Sequence, residues 1–195
     1  MEKGVLLVFQ KNESLGSVKT RLAAQVGDVQ ALEIYRQLVR TTYNSLVGLT
    51  FPIWAFFSDF IPKHPDYSPT KSFLQRGEDL GARMKNAFSD AFKLGIEKVI
   101  LIGTDCPELD FNSIHQAFAS LDTADLVLGP AEDGGYYLIG MKKQSDFLFE
   151  GITWSTSLVF SQTIAKAENQ EMIVARLPVL ADIDTLEDWL KHSQG

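Results

Sequence analysis

Three short runs of this chain, residues 4–9, 53–57 and 98–103, are apolar almost without a break, and amphipathic stretches separate them. An unbroken apolar run of this length reads as a strand buried on both faces. Such strands belong to mainly parallel sheets covered by helices on both sides. Between the first two runs, Ala31, Ile34, Tyr35, Leu38, Thr42 and Leu46 recur at steps of three and four, which predicts a helix over 28–47 with Asp28 as its N-cap. Asp79 opens a second helix, with Leu80, Met84, Ala87, Phe88, Ala91 and Phe92 on one face and Gly95 where it stops. Further along, 112–121, 155–167 and 185–191 read as helices, and 125–128, 135–141 and 171–177 as strands. Pro62, Pro65 and Pro69 predict an irregular stretch after the second strand. The expected fold class is therefore α/β: a three-layer sandwich with a mainly parallel mixed sheet, forming a single domain over residues 1–195.

Composition narrows the function. With 45% apolar residues the chain can build a core without cross-links, and Cys106 is its only cysteine, so a disulfide scaffold and a multi-cysteine zinc site are excluded. A net charge of −7 lacks the electrostatic footprint of a nucleic-acid binder, and no nucleic-acid partner is expected. The apolar runs are too short to span a bilayer, and Met1-Glu2-Lys3 leads into the first of them without signal-peptide architecture. A cytoplasmic protein with no membrane partner is expected.

In parallel α/β sheets, ligands collect beyond the carboxyl ends of the strands, and here polar clusters follow the predicted strands. After the first come Lys11, Gly16, Lys19, Thr20 and Arg21. A glycine, a hydroxyl and several cations before a helix suit a phosphate chain, although a solvated basic loop has the same composition. Ser17 and Val18 separate Gly16 from Lys19, so this is not a Walker A loop. In the second cluster, Gly77 and Gly81 flank the candidate N-cap Asp79, followed by Arg83; ordinary helix capping explains it equally well. The third, Gly103-Thr104-Asp105-Cys106-Pro107, places one carboxylate at the ligand edge, where Mg²⁺ is commonly held by one or two carboxylates plus substrate phosphates. Cys106 reads as a small buried filler, because His64, His115 and His192 are scattered in sequence. A fourth cluster, Asp133-Gly134-Gly135-Tyr136, is also a tight-turn signal, and Asp182, Asp184 and Asp188 gather before and within the last helix, where acids are common in any case.

Taken in order, these clusters resemble a known family. The matching segments are Phe9-x-Lys11, Gly16-x-x-Lys19-Thr20-Arg21-Leu22, Gly77-x-Asp79-Leu80-Gly81-x-Arg83-Met84 and Gly103-x-Asp105-x-Pro107-x-Leu109. They continue with Gly129-Pro130-x-x-Asp133-Gly134-Gly135-Tyr136-Tyr137-Leu138-Ile139-Gly140, Trp154-Ser155-Thr156 and Asp182-x-Asp184-Thr185-x-x-Asp188. The pattern resembles the small GT-A-type glycosyltransferase-like proteins labelled radical-SAM/selenodomain-associated transferases or arsenosugar-biosynthesis glycosyltransferases. More distantly, it is similar to phospholactate guanylyltransferase, molybdenum-cofactor guanylyltransferase and CMP-KDO synthetase, which share the nucleotide-diphospho-sugar transferase fold. In one departure, Glu13 stands where the family usually has Pro.

The resemblance implies a GT-A fold and a metal-dependent transferase using a nucleoside triphosphate or a nucleotide sugar, with a small-molecule acceptor. Lys11, Gly16, Lys19, Thr20, Arg21, Gly77, Asp79, Leu80, Gly81 and Arg83 would bind the nucleotide. Asp105 and Asp184 would hold Mg²⁺ or Mn²⁺, with Asp182 and Asp188 as alternatives for the second acid. Asp133, Gly134, Gly135, Tyr136, Trp154 and Ser155 would line the acceptor side, and Lys19, Arg21, Asp105 and Asp133 would take part in catalysis. Nucleotidyl and glycosyl transfer both fit this set. A catalytically silent nucleotide-sensing or scaffolding module on the same fold is the rival class.

Overall fold

A computed structural model describes residues 4–63 and 67–194; Met1, Glu2, Lys3, His64 and Pro65, which enter the sequence argument, lie outside the described residues. Strand β1 (Gly4–Gln10) is buried along its whole length and lies inside the sheet, pairing in parallel with β2 (Ile53–Phe57) on one side and β4 (Lys98–Ile102) on the other. Strand β3 (Lys71–Leu74) extends the sheet beyond β2. Beyond β4 lies β6 (Tyr136–Met141), antiparallel to both β4 and β5 (Leu126–Pro130), and β7 (Val174–Arg176) closes that edge in parallel with β5. The sheet order is β3-β2-β1-β4-β6-β5-β7.

The alternation of side chains along each strand separates two cores. On one face, Leu6, Val8, Ile100 and Leu138 meet helices α2 (Asp28–Ser45) and α4 (Phe111–Ser120) through Tyr35, Val39, Ile114 and Phe118. On the other, Val5, Leu7, Phe9, Leu101 and Ile139 meet α3 (Leu80–Lys93) and α5 (Val159–Asn169) through Met84, Phe88, Ile164 and Ala167. A smaller cluster joins α1 (Thr20–Val26), α2 and α6 (Leu186–Gln194) around Leu22, Ile34, Leu38 and Ile183. This is the expected three-layer α/β sandwich with a mainly parallel mixed sheet. No described helix is long and apolar enough to cross a membrane.

Several local expectations are corrected. Asp28 is the first residue of α2 rather than its cap, which is Gly27. Helix α1 was not expected: its seven residues bury only Leu22, and no side chain caps it. Strand β3 was also missed, because an edge strand with no fully buried residue carries no apolar run. The helix expected from residue 155 starts at Val159, since Ser155 has φ 62 and cannot lie in a right-handed helix. Asp79 does cap α3, its carboxylate accepting from Ala82 N–H at 2.7 Å, and α3 ends at Lys93, just before Gly95.

The chain leaves β1 toward β2 and β3 on one side and enters β4 on the other, so the strand order reverses between β1 and β4. β4 ends with Ile102 opposite Val8, and β1 runs two residues further, to Gln10. The crevice outside such a switch point is where open α/β sheets bind ligands.

Candidate functional site

Beyond those two strand ends lies a cavity of about 1060 Å³. That is at the top of the range for small-molecule binding pockets. Of the residues expected to bind nucleotide, Lys11, Lys19, Thr20, Arg21, Leu80 and Arg83 line it; of those expected on the acceptor side, Asp133, Gly135, Tyr136, Trp154 and Ser155 do. Asp105, Asp182 and Asp184 complete the wall, whereas Gly16, Gly77, Asp79, Gly81, Gly134 and Asp188 stand outside it.

The first loop is built into place from behind. Asn12 is buried: its Oδ1 accepts from the N–H groups of Asp59 (2.8 Å) and Phe60 (3.2 Å), and its Nδ2 donates to Phe60 O at 2.8 Å. Tyr35, projecting from α2, accepts from Lys11 N–H at 2.8 Å and donates to Lys11 O at 3.0 Å. Burial pushes the Tyr35 phenol up, so it stays protonated and able to donate. Gln75 Nε2 ties the ends of β1 and β2 together by donating to Gln10 O (3.2 Å) and Phe56 O (3.0 Å). Glu13, the acid in place of proline, accepts from Arg36 Nε at 3.3 Å and lies outside the cavity wall.

The C-terminal segment brings further acids to the cavity. It runs beside the end of β5, with Leu180 N–H donating to Pro130 O (3.1 Å) and Glu132 N–H to Leu180 O (3.0 Å). Ile183 N–H then donates to Asp105 O at 2.9 Å, which sets Asp182 and Asp184 beside the end of β4. Asp188 serves the helix instead: its carboxylate accepts from the N–H groups of Asp184 and Thr185, and Thr185 Oγ1 accepts in return from Asp188 N–H. This reciprocal capping box engages Asp188 Oδ2 at the start of α6.

At the centre stands Lys19. Its ammonium lies 2.7 Å from Asp105 Oδ1 and 3.2 Å from Asp184 Oδ1, and it donates to Ile183 O at 2.6 Å. Those three acceptors match its three N–H donors. Burial works against the Lys19 charge, but Asp105 and Asp184 outweigh it and hold the pKa above the ordinary lysine value. Arg21 Nη1 reaches Asp184 Oδ2 at 3.6 Å from the solvent side. Asp182 is the most perturbed acid: burial first, then the charges of Asp105 and Asp133, push its carboxyl up to about 7. Cys106 is buried, and burial pushes its thiol up to about 12, which leaves it unreactive.

On the far side, Asp133 Oδ1 accepts from Gly135 N–H at 2.8 Å and so fixes its own turn. The Trp154 indole lies against the α3 N-terminus, where a Cβ on Gly81 would come within 2.5 Å of it. Sequence reasoning missed Asn12, Tyr35 and Gln75. Their partners are backbone groups brought up by the fold, and only the position of Asn12 just beyond a predicted apolar run hinted at one of them.

Asp105 and Asp184 offer hard carboxylate oxygens suited to Mg²⁺ or Mn²⁺. Apart from the Lys19 ion pair, Asp105 Oδ1 is buried without a hydrogen-bond partner among the described residues, and the side chains of both acids remain 40% or more exposed. No cluster of three or more His, Cys, Asp or Glu forms a ready cage among the described residues. The two part-exposed carboxylates themselves fit a hard divalent ion.

A family model described as "Uncharacterized protein conserved in bacteria (DUF2064)" matches residues 64–156, and no curated protein matches the chain significantly. The structure is similar to that of a candidate nucleotide-diphospho-sugar transferase from Desulfovibrio desulfuricans G20, with 32% identity and a TM-score of 0.89 over 97% of this chain and 85% of that one. It is also similar to CMP:2-keto-3-deoxy-manno-octonic acid synthetase complexed with CTP (11% identity, TM-score 0.59, 100% of both chains). A manganese complex of a Mycobacterium tuberculosis H37Rv protein matches at 11% identity and a TM-score of 0.59, covering 100% of this chain and 99% of that one. At 11% identity these last two likenesses show the fold alone.

Proposed function

This chain belongs to the same family as the Desulfovibrio desulfuricans G20 protein, and from that premise we propose that it is a divalent-metal-dependent nucleotidyltransferase that joins part of a nucleoside triphosphate to a small-molecule acceptor. The observation that carries this reading is the convergence of Asp105 and Asp184 on one ammonium, within a cavity lined by the cationic loop of Lys11, Lys19 and Arg21 and by the turn of Asp133. Two fold relatives, one complexed with CTP and one with manganese, support it.

The nucleoside lies along the segment of Gln75, Leu80 and Arg83, and Lys11 and Arg21 meet the triphosphate. Asp105 and Asp184 would hold Mg²⁺ or Mn²⁺, which would neutralise charge on the phosphate oxygens. An acceptor oxygen attacks the α-phosphorus; a new P–O bond forms there as the bond to the bridging oxygen breaks and pyrophosphate leaves. Where the acceptor is a hydroxyl, its proton passes to the carboxylate of Asp133, which the Gly135 N–H holds in place. Tyr136 and Trp154 offer an aromatic wall for the acceptor.

Glycosyl transfer from a nucleotide sugar is the second reading, favoured by the description of the relative at 32% identity. A thermal-shift panel with Mn²⁺ separates the two. A ligand at about 100 times its dissociation constant adds about 2.7 kcal/mol to stability. Stabilisation chiefly by one nucleoside triphosphate is the expected result and identifies the base. Stabilisation chiefly by a nucleoside diphosphate and its sugars selects glycosyl transfer, and no response to any nucleotide rejects both.

A further inference from the structure

The Lys19 ammonium stands where an ion shared by Asp105 and Asp184 would also have to stand. It is desolvated, with a side chain only 4% exposed, and all three of its N–H donors are engaged by Asp105, Asp184 and Ile183 O. Arg21 reaches Asp184 from outside at 3.6 Å, so the pair of carboxylates already has cations on two sides. A divalent ion seated on both carboxylates beside that ammonium would face a like charge at close range, with little water around the buried ammonium to screen it. The backbone adds to this. Lys19 has φ 47 and ψ 48, the left-handed conformation that a lysine adopts only at a cost, and it sits at the junction between the first loop and α1. The ion pairs hold it there.

Resting on the metal-dependent reading above, we infer that Lys19 and a divalent cation compete for Asp105 and Asp184. In the free protein the ammonium is their counter-ion. Metal entry turns Lys19 Nζ out into the cavity, where it is free to meet the phosphates of the donor. A competitor that must leave first reduces the apparent affinity of metal alone by the fraction of molecules in which Lys19 is already out. Phosphates that receive the displaced ammonium restore that affinity, so metal and nucleotide each favour binding of the other.

The direct test is amine labelling of the wild-type protein. Brief treatment with acetic anhydride, followed by peptide mass spectrometry, reads the acetylation rate of Lys19, with the exposed Lys191 as an internal reference. Mn²⁺ is added to saturation, judged by the electron paramagnetic resonance signal of the free ion, with sodium chloride as the ionic-strength control. Acetylation of Lys19 is expected to rise by about tenfold or more with Mn²⁺ bound, while Lys191 is unchanged. An unchanged Lys19 rate at saturating Mn²⁺ overturns the competition and leaves the metal site standing. If no Mn²⁺ binds even with a nucleoside triphosphate present, the metal-dependent reading falls, and the competition with it. In a second measurement, Lys19→Met is expected to bind Mn²⁺ in the absence of nucleotide about tenfold more tightly than wild type. Weaker binding would overturn the inference, by showing that the ammonium holds the two acids in place for the ion. Should that variant fail to fold, the wild-type labelling decides alone.

Discussion

Where the cavity borders β1, buried polar side chains hold the chain; where it borders α5, the chain is held by backbone packed on backbone. Asn12 and Tyr35 grip the first loop through five hydrogen bonds of 2.8–3.2 Å to main-chain groups. At the other end, a Cβ on Gly134 would lie 2.3 Å from Ser157 O, and Phe160 N–H donates to Gly134 O at 2.9 Å. Gly134 also has φ 88, and Ser155 has φ 62. A side-chain grip can be weakened by degrees, each lost bond costing its own share of stability. A backbone contact has no adjustable part, so disturbing it moves the wall itself. The loop proposed to meet phosphates should therefore lose affinity gradually, and the acceptor side should lose alignment abruptly.

Gly134→Ala puts that contrast to its hardest test. The added methyl meets Ser157 backbone in a left-handed conformation, and displacing this wall by about 1 Å is expected to lower turnover roughly 100-fold. Nucleotide affinity, read by thermal shift, should stay within about twofold of wild type. An equal loss of nucleotide affinity would erase the distinction between the two ends.

Asn12→Ala probes the opposite end. It strands the Asp59 and Phe60 backbone groups, and urea unfolding is expected to show a loss of about 2–3 kcal/mol together with weaker nucleotide binding. A change below about 0.5 kcal/mol would mean that water replaces the side chain and that the grip matters little.

Asp182 lies between the ends, and its effect depends on pH. Its carboxyl is pushed up to about 7 in the folded protein, against about 3.9 in the unfolded chain. Between those values the folded state keeps a proton that the unfolded state has lost, so stability declines as pH rises across that window. With metal removed by chelation, Asp182→Asn should melt about 3–5 °C above wild type at pH 8 and level with it at pH 4. Equal melting at both pH values would show that Asp182 titrates normally.

The smallest effect is expected at Cys106, which belongs to the core between the ends. Cys106→Ala should cost about 1 kcal/mol and leave activity within about twofold. A loss of more than about tenfold would bring the thiol into the chemistry.

The fold class was legible because β1, β2 and β4 are buried on both faces and therefore written as apolar runs. Strand β3 and helix α1 were not, because each leaves most of its residues at the surface and neither has a periodic face. Within the candidate site, Asp105 could be singled out from its place after a strand and before Pro107. Lys19 could be singled out as a cation but not placed, since its partner Asp184 is 165 residues away and only the pairing of the C-terminal segment with the end of β5 brings the two together. The choice among Asp182, Asp184 and Asp188 was likewise open in sequence, and the Asp188 carboxylate is seen to cap the last helix at Thr185.

A metal-dependent site requires that Asp105 couple a divalent ion to nucleotide binding. Calorimetric titration tests it most directly, using the nucleoside triphosphate chosen by the thermal-shift panel, with and without Mn²⁺, in wild type and in Asp105→Asn protein shown to be folded by circular dichroism. The account predicts that Mn²⁺ tightens nucleotide binding to wild type by about tenfold or more and has no such effect on Asp105→Asn. The same Mn²⁺-dependent gain in both proteins would contradict it.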